Sequence, residues 1–276
     1  MLSRSTTRVL LCSSFLAASS GCGGAAGSRL GRNADENYHH PEYGYGLLEA
    51  PESPAVLLGG GWHADSLALA AGPVSGSDSN AKLTQHYDWN DDGETDHTEE
   101  MNRYELHLVH DNGAEVFIRA VPVPASLEGK RPSELALAYM QAITRDGDMA
   151  ARFSPADLPT KSGNKIEAGL IGEGSCSVSG VEAYRLELTA QRTEPAPPGP
   201  QKRARLIIVR PGYHHKVVGA EDRKVPVMLV AAYTNLPEKF DEQEEDFNRF
   251  LGQWVLGGYG EAIPVETGGG AHTCEP

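Results

Sequence analysis

Val225-Pro226-Val227-Met228-Leu229-Val230-Ala231-Ala232-Tyr233 decides the fold. The run is apolar throughout and shows no polar alternation, so both of its sides need cover. A short, valine-rich segment of this kind reads as a central strand buried on both faces. It is stable only inside a large sheet.

The flanking sequence supplies that sheet. Residues 181–190 and 204–210 read as strands joined by a long polar loop, Glu194-Pro195-Ala196-Pro197-Pro198-Gly199-Pro200. Tyr104, Leu106 and Leu108 alternate with polar residues, Asp111-Asn112-Gly113 follows, and an apolar run resumes over 116–121. An Asn-Gly pair between such runs is a strong hairpin signal. Residues 66–71 and 81–87 carry shorter alternating patterns.

Two segments read as helices. Pro132 suits a first-turn position, and Leu135, Ala138, Tyr139, Ala142 and Ile143 recur at helical spacing until Asp146-Gly147. The second spans 237–254, with Phe240, Phe247, Phe250, Leu251 and Trp254 on one face. Asp241, Glu242, Glu244, Glu245 and Asp246 lie mostly on the other, which reads as a solvated face without a partner. The expected architecture is α+β, a mainly antiparallel sheet flanked by helices, in one domain over 43–258.

The ends differ in character. Arg4 and Arg8 precede an apolar run over 9–18, the plan of a signal peptide over 1–21, and the run is too short to span a bilayer. Ala17-Ala18-Ser19-Ser20-Gly21-Cys22 resembles the bacterial lipobox, which ends in a cysteine that is acylated and becomes the mature N-terminus. It departs from the usual pattern at Ser19, where leucine is commonest, so cleavage near Gly21 with a free Cys22 stays open. The resemblance implies a membrane anchor at Cys22, and Gly23 in place of a retention aspartate favours the outer membrane if the envelope is Gram-negative. Residues 22–42 read as a flexible tether and 259–276 as a Gly-rich tail.

The chain carries a formal charge of −14, and loss of the leader makes it more acidic. That balance argues against nucleic acid and against adhesion to anionic headgroups. Of four cysteines, Cys12 lies in the leader and Cys22 is the lipid candidate, which leaves Cys176 and Cys274. In an oxidising compartment such a pair forms a disulfide; the alternative is a buried thiol at 176 and a tail thiol at 274.

Motifs for common catalytic chemistry are missing: there is no Gly-x-Ser-x-Gly, no His-Glu-x-x-His, no phosphate loop and no Cys-x-x-Cys. His39-His40, His214-His215 and His107-x-x-His110 would place their rings on opposite faces of a strand and make no metal pair. One constellation stands out. Residues 88–99 fit Asp-x-Asn-x-Asp-Gly-x5-Glu, the calcium-loop pattern of EF-hands. A hard cation takes six to eight oxygens, and Asp88, Asn90, Asp92, Asp96 and Glu99 would offer side chains while Glu94 offers its carbonyl. Thr95 replaces the usual apolar residue and the flanks read as strands, so a solvated acidic hairpin loop remains the alternative.

Residues 227–233, then Asn235-Leu236-Pro237-Glu238-Lys239-Phe240, then a helix closing on Phe247, Phe250 and Leu251 resemble the end of PsbP-like domains. Gly44-Tyr45-Gly46-Leu47-Leu48 and Gly61-Trp62 are similar to that family's entry strand and following turn. The resemblance implies an α-β-α sandwich serving as a non-catalytic assembly or binding module, with no catalytic residues to carry across. The expectation is a lipid-anchored envelope protein that binds or positions a protein or small-molecule partner, with one structural calcium. The alternative is an envelope hydrolase with an unrecognised nucleophile.

Overall fold

The computed structural model describes residues 31–32, 38–39, 45–47, 54–67, 82–87, 94, 97–102, 105–123, 125–143, 165–194, 196–210, 214–216, 224–256 and 272–275. Its strands are β1 (Gly31–Arg32), β2 (Tyr38–His39), β3 (Tyr45–Leu47), β4 (Trp62–Leu67), β5 (Lys82–Tyr87), β6 (His97–Asn102), β7 (Leu106–His110) and β8 (Glu115–Pro122). They continue with β9 (Lys165–Val178), β10 (Val181–Glu194), β11 (Lys202–Val209), β12 (His214–Lys216), β13 (Lys224–Asn235) and β14 (Trp254–Leu256). Among the described residues two α-helices accompany them, α1 (Pro132–Ile143) and α2 (Glu244–Gln253).

Among the described residues the main sheet has eight strands in the order β4-β7-β8-β13-β11-β10-β9, with β12 also on β13. Every pairing in it is antiparallel. β13 occupies the middle, between β8 and β11, as its apolar run requires. Val227, Leu229, Ala231 and Tyr233 join one buried cluster with Phe240, Phe247, Phe250 and Trp254. Met228, Val230 and Ala232 join a second with Leu135, Ala138, Tyr139 and Ala142 of α1. The sheet therefore lies between α1 and a layer built from α2, β3 and β14, the α-β-α layering that the resemblance implied.

The β7–β8 hairpin closes as its signal predicts. Gly113 has φ of 90°, its N–H donates to the His110 carbonyl at 2.8 Å, and His110 N–H donates to the Ala114 carbonyl at 2.8 Å. At α1 the Glu134 carboxylate reaches back to accept from Arg131 N–H at 3.1 Å, satisfying one of the amides a helix start leaves unpaired.

The second helix is shorter than its apolar spacing suggests. Residues Pro237–Glu242 form a 3-10 turn, Gln243 leaves the helical region with φ of −118°, and Trp254 already belongs to β14. The cause is competition for carbonyls: Tyr233 Oη donates to the Phe240 carbonyl and Asn235 Nδ2 donates to that of Lys239 at 2.9 Å. A continuous α-helix would need those acceptors for its own ladder.

Other boundaries also move. Of the strand expected over 66–71, residues 68–71 lie outside the described residues, and the described strand, Trp62–Leu67, pairs with β7. Within the segment read as a tether, Tyr38–His39 pairs with Tyr45–Leu47, which in turn pairs with β14. The segment read as a tail ends against the sheet: His272 bridges to Val178, and Cys274 is fully buried. β9 was not foreseen, because Gly169, Gly172 and Gly174 break any alternation; thirteen residues of β10 pair with it and impose the strand.

Candidate functional site

Polar side chains gather at the end of the sheet where β11 begins and β13 finishes. On the α1 side, His107 Nε2 lies 3.1 Å from Glu115 Oε2, and Lys202 Nζ pairs with Glu115 Oε1. Burial alone would raise the Glu115 carboxyl, but the bonds from His107 and Lys202 more than offset it and hold its pKa at about 2. Further along the same face Arg119 Nη1 donates to Tyr139 Oη at 2.9 Å, tying α1 to β8.

On the α2 side the network is denser. Arg205 is fully buried, and its Nε and Nη2 donate to Glu187 Oε1 at 3.0 and 2.8 Å while Nη2 also reaches Glu244. Arg203 Nη2 bonds the other Glu187 oxygen at 3.0 Å and its Nη1 meets Asp241 at 3.3 Å. The Arg203 guanidinium also stands 4.2 Å above the Phe240 ring, in cation–π range. Burial pushes the Glu187 carboxyl up, and the two arginines overcome that push and hold it below the ordinary carboxylate range. Burial likewise raises the Tyr233 phenol to about 12, so it remains a donor to the Phe240 carbonyl at physiological pH.

The hairpin turn completes this end. Asn112 Nδ2 donates to Glu242 Oε2 at 3.1 Å and to Gln243, while Asn112 Oδ1 accepts from Ala114 N–H at 3.0 Å. Trp62 Nε1 donates to Asp246 Oδ2 at 3.0 Å, and its ring lies 5.1 Å from that of His110. Gly61 is required here, since a Cβ on it would sit 2.5 Å from the His110 ring. The acidic face of the second helical segment is thus a docking face rather than a merely solvated one. Asp241, Glu242, Glu244 and Asp246 bond Arg203, Asn112, Arg205 and Trp62 in turn.

Sequence reasoning missed these networks. The signal available was Arg205 inside an apolar strand, a charge that burial forces to find carboxylates. The arrangement pairs opposite charges tightly and pins the 237–243 segment to the sheet, which is positional work.

The residues singled out in sequence fare differently. Cys176 and Cys274 are bonded, with Cα atoms 4.9 Å apart. Thr273 N–H donates to the Ser177 carbonyl at 3.0 Å, and Ser177 N–H donates to Thr273 Oγ1 at 3.0 Å. His107 and His110 diverge, one toward Glu115 and the other onto Trp62. Cys22, Asp88, Asn90, Asp92 and Asp96 lie outside the described residues. Glu94 is exposed, and Glu99 pairs with Gln85 in the β5–β6 hairpin, two rungs beyond the His97–Tyr87 pair that borders the loop. The flanks of the acidic loop are therefore strands, as expected, and not the helices of an EF-hand. Among the described residues no group of three or more His, Cys, Asp and Glu is placed to hold a metal, and no helix there is long and apolar enough to cross a membrane.

These features define the class: a disulfide-linked α+β protein whose antiparallel sheet is layered between helices. No protein-family model matches the sequence, and no curated protein matches it. Solved structures similar to it include the cyanobacterial PsbP of Synechocystis, with a TM-score of 0.38 and 11% identity over 84% of this chain and 99% of that one. LpqN, involved in cell envelope biogenesis of Mycobacterium tuberculosis, gives 0.33 and 10% over 57% and 75%. A protein of unknown function from Pseudomonas aeruginosa gives 0.31 and 13% over 64% and 83%. Likeness at this level carries no argument about activity, so the functional reading rests on this chain's own residues.

Proposed function

We propose that this chain is an exported, lipid-anchored, non-catalytic domain of the cell envelope that binds or positions a partner. The observation that carries the compartment is the Cys176–Cys274 disulfide, because such bonds persist where the surroundings are oxidising. The leader and the row of small residues before Cys22 supply a route there and an anchor. The binding role is supported by the way the buried ionisable groups of both networks pair with one another and fix a surface. Replacing Cys22 with serine is expected to move the protein from the membrane fraction to the soluble one and to abolish labelling by a fatty-acid analogue. Unchanged membrane association, with no labelling of the parent, removes the anchor.

The reading includes one structural calcium at Asp88, Asn90, Asp92, Glu94, Asp96 and Glu99, supported by the spacing of the carboxylates and by the strand pairing that brings both ends of the loop together. A single site in an exported protein suits a dissociation constant of about 10⁻⁴ to 10⁻³ M. Titration calorimetry should show one saturable site, lost in Asp88→Ala. No saturable heat at millimolar calcium would return the loop to a solvated acidic hairpin.

A further inference from the structure

β1 pairs with β2, β2 with β3 and β3 with β14. Neighbouring strands lie about 4.8 Å apart, so β1 stands within about 15 Å of β14. β14 begins at Trp254, whose carbonyl accepts from Ser179 Oγ at 2.8 Å in the β9–β10 turn. The chain from Cys22 therefore enters near that turn, at the end of the main sheet where β8 and β11 finish and β13 begins. Residues 23–30 alone separate Cys22 from β1, and fully extended they reach about 30 Å. The Asn112 turn and the 237–243 segment lie at the opposite end, about 25 Å away along the eight residues of β11.

The formal charge of −14 is unevenly spread. Glu238, Asp241, Glu242 and Glu245 are exposed at the far end. At the entry end Arg210 follows β11 and its Nη1 donates to the Lys130 carbonyl at 3.4 Å, which sets Lys130, Arg131 and Arg210 side by side. Lys216 stands directly opposite Lys224 in the β12–β13 pair. Like charges facing one another across a ladder are destabilising, and an anionic surface relieves that repulsion. The acids of the same segments are Glu128, Glu182 and Glu134, whose carboxylate takes Lys130 at 3.2 Å. The connection 217–223 adds Glu221, Asp222 and Arg223, and residues 23–34 hold Arg29 and Arg32 with no acid. Basic residues thus outnumber acids at this end of a chain that is acidic elsewhere.

We propose that this end of the sheet faces the bilayer, with Lys130, Arg131, Arg210, Lys216 and Lys224 toward anionic phospholipid headgroups, and that the Asn112 turn and the 237–243 segment are held outward for the partner. This rests on reading Cys22 as the anchor and names the surface that the anchor brings down. The tether selects the occupant, because it keeps the bilayer within about 30 Å of β1. Charge then sets the orientation: an anionic lipid surface attracts this end and repels the acidic one. The acidic balance of the whole chain opposes adhesion without the anchor, and the tether supplies the local concentration that weak cation contacts need.

The test couples the mature chain, residues 22–276, through the Cys22 thiol to a maleimide-bearing lipid in vesicles of phosphatidylcholine, with or without phosphatidylglycerol. Cys176 and Cys274 are bonded, so Cys22 is the thiol that couples. Lysine acetylation, read by mass spectrometry, then reports on each end. On anionic vesicles acetylation of Lys130, Lys216 and Lys224 should fall at least about fivefold relative to the uncoupled protein, the factor that one cation's attraction to such a surface supplies, while that of Lys239 stays unchanged. High salt, neutral vesicles and the double variant Arg131→Glu/Arg210→Glu should each restore most of the reactivity. Equal protection of Lys239 and Lys130, no protection, or protection indifferent to lipid charge and to the variant overturns the proposal. So does protection of Lys130 that arises in the uncoupled protein as its concentration rises, which marks a contact between copies. Coupling through the thiol sets the geometry whether or not the cell acylates Cys22, so the fatty-acid labelling experiment and this one fail separately.

Discussion

Glu187→Ala is expected to destabilise the fold by about 3–5 kcal/mol, the cost of leaving a buried charge without its main partner. Arg205 has no exposed surface, and two of its three bonds end on Glu187 Oε1. Without that carboxylate the guanidinium keeps Glu244, which is itself partly open to solvent. Arg205 Nη1 has no partner among the described residues, so the site has no spare acceptor to rearrange onto. Two comparisons separate this account from a general packing defect. Asp241→Ala removes a carboxylate that is 80% exposed and should change stability by less than about 1 kcal/mol. Glu187→Leu combined with Arg205→Met removes both charges at similar volume, and should recover most of the loss. Urea denaturation at neutral pH measures all three. A loss in Glu187→Ala no larger than that in Asp241→Ala would show that Arg205 is solvated in solution.

Replacing both Cys176 and Cys274 with alanine should cost about 3–4.5 kcal/mol. The bond spans 98 residues, for which chain entropy alone sets a ceiling of about 4.7 kcal/mol. The segment around Cys274 is docked rather than loose: Cys274 is fully buried, and Thr273 and Glu275 are held by Ser177 and Arg185. The native state therefore loses little entropy to the bond, and most of the ceiling should be realised. In denaturant melts, reductant should lower the parent's midpoint and leave the double variant's unchanged. Free thiols at both positions in protein purified without reductant would refute the pairing.

Much of the fold was legible because it follows from periodicity within short windows. Residues 229–233 of the apolar run at 225–233 lie between β8 and β11, while Val225 and Pro226 at its start pair with β12, and Asn112-Gly113 marks a turn by backbone conformation alone. Pro132 and the spacing that follows it place α1 correctly. The failures share a different cause. Residues 237–254 carry one helical period, yet Tyr233 and Asn235 take the carbonyls that a single helix would need. β9 is a strand because β10 pairs with it, in spite of its glycines.

The candidate site divides along the same line. Residue types and spacing along the chain sufficed to mark Cys22 and the 88–99 loop as candidates, and to pick out Cys176 and Cys274 as the cysteines left to pair. The electrostatic network could not be read that way, since Glu187, Arg203, Arg205, Asp241 and Glu244 come from four separate elements. Nor could the grouping of Lys130, Arg210 and Lys224 at one end of the main sheet, which exists because β8 and β11 finish and β13 begins there. Helix and strand periods, turn residues and cysteine count are properties of neighbours along the chain, and a sequence states them outright. Which carbonyl a side chain captures, which acid meets a buried arginine and where a sheet stops depend on contacts between distant segments, and those are set only when the chain has packed.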